Sequence, residues 1–152
     1  MYNKAIFLDR DGVINQTIIK NGKPYPPSDF NEFEILPSVK QALQLLHEDH
    51  YLLIVVTNQP DVGDKKQKQE TVESFHQFLL NNFPLKDIVV CFDRNSFCYK
   101  PKPGMILNSA KKHNINCKKS YMIGDRWVDI EAGKAAGCKT VFIDYKYQEA
   151  LK

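Results

Sequence analysis

Residues 4–13 read Lys4-Ala5-Ile6-Phe7-Leu8-Asp9-Arg10-Asp11-Gly12-Val13. An apolar run without polar alternation marks a strand covered on both faces, as in a parallel sheet with helices above and below. The run then gives way at Asp9 to charge, at the carboxyl end of the strand, where open α/β sheets place their ligands. With the backbone extended through Arg10, the Asp9 and Asp11 carboxylates fall on the same side. Four further runs of the same kind occupy 52–57, 88–92, 120–123 and 140–143.

Between these strands the apolar residues change to a spacing of three and four. Val39, Leu43 and Leu46 form one set, and Val72, Phe75, Phe78 and Leu79 a second. Ile106, Leu107 and Ala110 form a third, and Ile130, Ala132, Ala135 and Ala136 a fourth. That period predicts four crossover helices, hence an α/β fold. Pro37-Ser38 reads as a helix start and Gly137 as a helix stop. Residues 16–35, with Gly22, Pro24, Pro26 and Pro27, are too proline-rich for a regular helix and read as an excursion that covers the site.

The 152 residues, 43% hydrophobic, suffice for one domain with a real core, and neither repeat nor linker divides them, so 1–152 is expected to be a single domain. A formal charge of +3 is too small a bias for a nucleic-acid or membrane surface. No run approaches the roughly 18 apolar residues of a membrane span, and the start lacks a secretory signal's apolar core. Cys91, Cys98, Cys117 and Cys138 show no C-x-x-C spacing. A cytoplasmic monomer with reduced thiols and no disulfide is expected.

Four polar clusters carry the chemistry. In the first, Asp9 can coordinate a cation and attack an electrophile. Asp11, its pKa raised by the like charge beside it, can hold a proton for a leaving group. Asp-x-Asp-Gly is equally a solvated turn or a calcium-loop fragment. In Thr57-Asn58-Gln59 the hydroxyl and following amides can donate to a phosphoryl oxygen, or cap the turn. In Lys100-Pro101-Lys102-Pro103-Gly104-Met105 a lysine on a stiff loop supplies fixed positive charge, although lone lysines are ordinarily solvated. In Gly124-Asp125-Arg126-Trp127-Val128-Asp129, Asp125 can join Asp9 around a hard cation while Asp129 braces the loop, or either caps a helix. Trp127 is expected to pack on the sheet. His47, His50, His76 and His113 lack ligand spacing and read as surface or capping residues.

Taken in chain order, these four clusters resemble the four motifs of the haloacid dehalogenase superfamily of phosphotransferases, over nearly the whole chain. The Thr-Asn-Gln triplet and the Lys-Pro-x-Pro-Gly-Met loop narrow the resemblance to its small capless subfamily IIIA. That group holds the D-glycero-D-manno-heptose 1,7-bisphosphate 7-phosphatases and the histidinol-phosphate phosphatases. The resemblance implies a three-layer Rossmann-like fold without a cap domain, its five sheet strands in the order 5-4-1-2-3. It implies Asp9 as nucleophile, Asp11 as acid and base, and Thr57 and Lys100 steadying the phosphoryl group. It further implies Mg²⁺ on Asp9, the Asp11 backbone carbonyl and Asp125, with Arg10, Asn58, Gln59 and Tyr99 at the substrate. The implied function is release of the 7-phosphate from a heptose bisphosphate. Histidinol phosphate, or another small phosphoester, is the alternative substrate, and a catalytically inactive binding protein the alternative of another class.

Two departures bear on the substrate. The subfamily's zinc loop is shortened to Cys91 and Cys98 without a histidine, and structural zinc normally takes four protein ligands, so zinc is not expected. Tyr99 stands where the subfamily has an arginine before the lysine, and Val62-Gly63-Asp64 replaces its Ala-Arg-Gly. Lys65, Lys66 and Arg94 are the candidates to compensate.

Overall fold

The computed structural model describes residues 1–148. Five parallel strands form the sheet: β1 (Ala5–Leu8), β4 (Leu52–Asn58), β5 (Asp87–Cys91), β6 (Tyr121–Gly124) and β7 (Lys139–Phe142), in the order β5-β4-β1-β6-β7. Counting these strands alone from one to five, the order is the expected 5-4-1-2-3. Each strand start and end falls within one residue of its sequence-based estimate.

The alternation along β1 shows why both faces are apolar. Ala5 and Phe7 join Ile54, Val56 and Met122 on one face of the sheet, whereas Ile6 and Leu8 join Leu53 and Val55 on the other. The first face is covered by α4 (Gly104–Lys112) through Met105 and Ile106, and by α5 (Trp127–Ala136) through Ala132. The second is covered by α1 (Val39–Glu48) through Leu43, and by α3 (Gln69–Asn82) through Phe75 and Leu79. The four expected crossover helices are therefore present, two to each side.

Helix boundaries follow local chemistry with one correction. Gly137 ends α5 at φ 87°, in the left-handed conformation that glycine takes without steric cost. Helix α1 begins at Val39, so Pro37 lies ahead of its first turn. Ser38 sits at φ 68°, outside the extended conformation typical of a capping residue, and makes no side-chain capping bond.

The excursion after β1 contains a hairpin, β2 (Ile18–Lys20) and β3 (Lys23–Tyr25). Its Asn21-Gly22 turn has φ 54° and 74°, the paired positive angles of the tight turn that suits strand twist. The returning chain is anchored by aromatic packing: Phe33 stacks on Phe75 of α3 at 4.4 Å between ring centres, and Phe30 meets the same ring edge-on at 5.0 Å. A short helix α2 (Pro60–Gly63) follows β4, and a 3₁₀ turn (Cys117–Lys119) precedes β6.

The expectation of four reduced thiols is corrected at one pair. Cys91 and Cys98 form a disulfide with Cα atoms 5.8 Å apart. The loop between them folds back through bonds from the Ser96 amide to the Asp93 carbonyl and from the Tyr99 amide to the Ser96 carbonyl, which brings the two sulfurs together. Cys117 and Cys138 are free. Among the described residues no helix is long and apolar enough to cross a membrane.

Candidate active site

The parallel register sets Phe7 beside both Ile54 and Met122, so β1, β4 and β6 end side by side. Asp9, Thr57 and Asp125 therefore converge at one edge. The Asp9 amide extends the ladder by donating to the Ile123 carbonyl at 3.0 Å, which fixes how far the strand runs before its carboxylate leaves the sheet.

Lys100 reaches this edge from the loop before α4. It is 2% exposed, and its ammonium donates to Asp9 Oδ1 at 3.0 Å, Asp129 Oδ1 at 2.7 Å and the Val56 carbonyl at 2.9 Å. Burial pulls the ammonium toward neutrality, but Asp129 and Asp9 outweigh it and hold the pKa above the ordinary lysine value. A buried permanent cation thus sits against the first carboxylate. Asn58 locks the loop that carries it, exchanging two hydrogen bonds with the Lys100 backbone at 3.0 and 3.1 Å. Asp129 Oδ2 accepts from the Arg126 amide at 3.1 Å, so this carboxylate braces both the α5 start and Lys100.

Asp11 departs from expectation in its acidity. Burial pushes its pKa up, but the Arg10 charge and hydrogen bonds from Asn15, Arg10 and Gln59 outweigh that effect and hold it below the ordinary value. The sequence shows the neighbouring acid, not the guanidinium that folds back on it. Arg10 Nη2 donates to Asp11 Oδ1 at 2.8 Å, and Gln59 Nε2 donates to both Asp11 Oδ2 at 3.1 Å and Thr57 Oγ1 at 2.9 Å.

Arg10 and Gln59, expected at the substrate, are 0% and 2% exposed, are not among the residues that line the cavity, and turn their side chains to Asp11 and Thr57. Thr57 itself is fully buried, its hydroxyl engaged by Gln59.

Arg10 is held in turn by His76 of α3 at 3.0 Å and lies over the Phe75 ring at 5.5 Å. The expectation of a surface or capping role for His76 is also corrected: it is 7% exposed. Since a guanidinium can only donate, His76 Nε2 accepts and the ring is neutral. Burial, then the Arg10 charge, lower its pKa from 6.5 to about 3. The unfolded chain therefore binds a proton below about pH 6.5 that the native ring refuses. This stability is present above that pH and is lost as pH falls toward 3. Between pH 7 and 5 the loss is about 2 kcal/mol. Urea unfolding at the two values should show it, and His76→Gln should remove that component.

Asp9, Asp125 and Asp129 place carboxylate oxygens within 4.8 Å of one another. Burial and then Asp129 push Asp9 well above the ordinary value, and the same two causes bring Asp125 up to about 6. Three buried acids face one ammonium, and among the described residues Asp125 Oδ1 is buried without a hydrogen-bond partner. Gly12, at φ 85°, leaves open the space where a Cβ would lie 2.0 Å from Asp125 Oδ2. Excess negative charge, hard oxygen donors and an orphaned oxygen fit a divalent cation such as Mg²⁺. Asp129 has one oxygen on Lys100 and the other on the Arg126 amide, so of the three carboxylates Asp9 and Asp125 are the better cation donors.

These groups open on a cavity of about 360 Å³. Asp9, Asp11, Asn58, Tyr99, Lys100 and Asp125 line it, and so do Pro24, Tyr25 and Pro26 of the excursion. Arg94 and Arg126 also line it, whereas Trp127 does not. Of the three candidates to replace the absent arginines, only Arg94 lines this cavity. Lys65 and Lys66 line a separate depression with Gln67 and Thr71. Two residues escape sequence reasoning altogether, Tyr145 and Tyr147, whose hydroxyls donate to the Gly12 carbonyl at 2.9 Å and to Asp125 Oδ2 at 2.8 Å.

The sequence pattern of the haloacid dehalogenase-like hydrolases matches residues 16–143. A D-glycero-beta-D-manno-heptose-1,7-bisphosphate 7-phosphatase of Helicobacter pylori is 37% identical over 90% of this chain and 81% of its own length. The protein of that name in Haemophilus ducreyi is 33% identical over 92% and 82%. Among solved structures, the D,D-heptose 1,7-bisphosphate phosphatase of B. bronchiseptica, complexed with magnesium and phosphate, superimposes with a TM-score of 0.78. It is 26% identical, over 91% of this chain and 79% of that one.

Proposed function

The chain belongs to the haloacid dehalogenase-like hydrolases, and from that premise we propose a Mg²⁺-dependent phosphomonoesterase. It removes the 7-phosphate of a D-glycero-D-manno-heptose 1,7-bisphosphate through an aspartyl-phosphate on Asp9. The observation that carries this reading is the buried Lys100 ammonium, shared between Asp9 and Asp129 beside the unpartnered Asp125 Oδ1. That combination makes a carboxylate usable against an anionic ester. The activity for which the Helicobacter pylori and Haemophilus ducreyi relatives are named supports the substrate.

Mg²⁺ bound by Asp9, Asp125 and the Asp11 carbonyl would offset the repulsion between carboxylate and phosphate. The remaining work falls to the chain. Lys100 keeps Asp9 oriented and shields its charge. A carboxylate oxygen of Asp9 forms a bond to phosphorus as the bond from phosphorus to the sugar oxygen breaks, and Asp11 gives that oxygen its proton. Water then attacks phosphorus, passes a proton to Asp11, and the Asp9–phosphorus bond breaks to release phosphate. Arg10, Asn15 and Gln59 set the resting Asp11 as the base of this second half. The incoming phosphate dianion supplies the like charge that favours its protonated form for the first half.

Arg94 on the cavity side is suited to the remote phosphate, taking the part of the arginine that Tyr99 replaces. We read 1–152 as one catalytic domain acting as a monomer. The test is phosphate release from the heptose bisphosphate beside histidinol phosphate, with Mg²⁺ and with EDTA. Expected is Mg²⁺-dependent release with a kcat/KM preference for the heptose. Arg94→Ala should lower that kcat/KM by about 10-fold or more, the effect of one charged hydrogen bond. Equal, feeble release from both substrates would discard the heptose and keep the chemistry.

A further inference from the structure

After β7 the chain turns back across the site. Ile143 still pairs with the Gly124 carbonyl at 2.8 Å, and the Lys146 amide then donates to Asp144 Oδ1 at 2.8 Å in a tight turn. Tyr145 and Tyr147 follow with their rings stacked, 5.6 Å between centres. Their hydroxyls do not reach the same partner. Tyr145 donates to the carbonyl of Gly12, the residue after Asp11, whereas Tyr147 donates to Asp125 Oδ2. The Tyr147 oxygen also lies 3.3 Å from Thr17 Oγ1, and the Gln148 amide donates to the Gly22 carbonyl at the hairpin turn at 3.3 Å. Tyr147 is 9% exposed.

This short segment therefore ties together the nucleophile loop, the hairpin that walls the cavity and one carboxylate of the cation site. The hydrogen bond at Asp125 is asymmetric. Oδ2 is engaged by a neutral phenol, which leaves the full acceptor capacity of Oδ1, buried and unpartnered, for another group. A carboxylate with one oxygen fixed cannot swing, so its second oxygen is presented at a defined angle. Groups that orient a ligand in this way typically change metal affinity by about 10- to 100-fold when removed.

We propose that residues 143–148 form a C-terminal strap in which Tyr147 is a positioning residue for the divalent cation. Holding Asp125 Oδ2, it aims Oδ1 at the ion; by linkage, ion binding pins the strap and, through Thr17 and Gly22, the hairpin over the cavity. The proposal rests on the cation site of the preceding reading.

The test uses the full chain, stripped of metal and without substrate. Mn²⁺ and Mg²⁺ are titrated calorimetrically into wild type, Tyr147→Phe and Asp125→Asn. Expected is binding to wild type, about 10-fold weaker binding to Tyr147→Phe, and loss in Asp125→Asn. Hydrogen exchange on the wild type provides a second readout independent of any variant's folding: Mg²⁺ should slow exchange in 143–148 and 18–25 together. Undiminished affinity in Tyr147→Phe, or exchange in these segments indifferent to the ion, overturns the strap and leaves the site intact. A wild type that binds neither ion overturns both.

Discussion

Asp9→Asn removes phosphate release, with kcat falling on the order of 10⁴-fold or more, as expected when a covalent nucleophile is lost. The amide keeps the shape of the carboxylate but supplies neither the negative oxygen that attacks phosphorus nor the charge that a cation needs. The same substitution should not unfold the protein. Asp9's pKa is raised in the fold by burial and then by Asp129. Its charged form is therefore less favourable in the native state than in the unfolded chain. That cost grows as pH rises above the ordinary carboxylate range. At pH 7 in EDTA, the melting temperature of Asp9→Asn should equal or exceed that of wild type. Residual release near the wild-type rate would remove Asp9 from the nucleophile's place.

Lys100→Met produces the opposite pairing of effects, losing activity and stability together. Its ammonium is the common partner of Asp9 and Asp129, both buried, and it also satisfies the Val56 carbonyl. Methionine fills much of the volume but leaves two acids and a carbonyl without their donor. Removing one member of a buried ion pair typically costs about 3–5 kcal/mol. Urea unfolding in EDTA at pH 7 should show a loss of that size, and phosphate release should disappear. Because Asp9 and Lys100 touch, the two substitutions should not add. In the Asp9→Asn, Lys100→Met double variant one of the stranded acids is gone, so the loss should be smaller than in Lys100→Met alone. A surface-sized effect, below about 1 kcal/mol, would contradict the buried geometry.

Much of this architecture is legible in the chain because parallel strands covered on both faces leave an unmistakable trace. Ala5-Ile6-Phe7-Leu8 and Leu53-Ile54-Val55-Val56 hold no polar residue, and each ends in the groups that make the site. Asp9, Asp11, Lys100 and Asp125 could be gathered from motifs that stand 91 residues apart for the Asp9–Lys100 pair. What escaped depends on side-chain direction and on contacts between distant segments. Arg10 lies in the motif next to Asp11, yet only the fold shows its guanidinium turned inward to Asp11 and His76, which reverses the expected shift in acidity. His76 sits on a helix whose apolar face is obvious, but a histidine there carries no sign of the arginine it will meet. Tyr147 belongs to no motif at all. The Cys91–Cys98 bond is invisible to spacing rules because it depends on a local turn. The hairpin, by contrast, has a signal in Asn21-Gly22, a pair that prefers the positive angles of a tight turn.

The excursion between β1 and α1 is fastened at both extremities. Phe30 and Phe33 clamp its return against the Phe75 ring, while Thr17 and Gly22 are tied to Tyr147 and Gln148. Between these piers hang Pro24, Tyr25 and Pro26, the part that faces the cavity. Once the cation pins the strap, such a span presents its guest with an outline set from both ends. In the proposed reaction the three side chains of that span, together with Arg94, face the leaving group, and none of the three belongs to the five-stranded sheet.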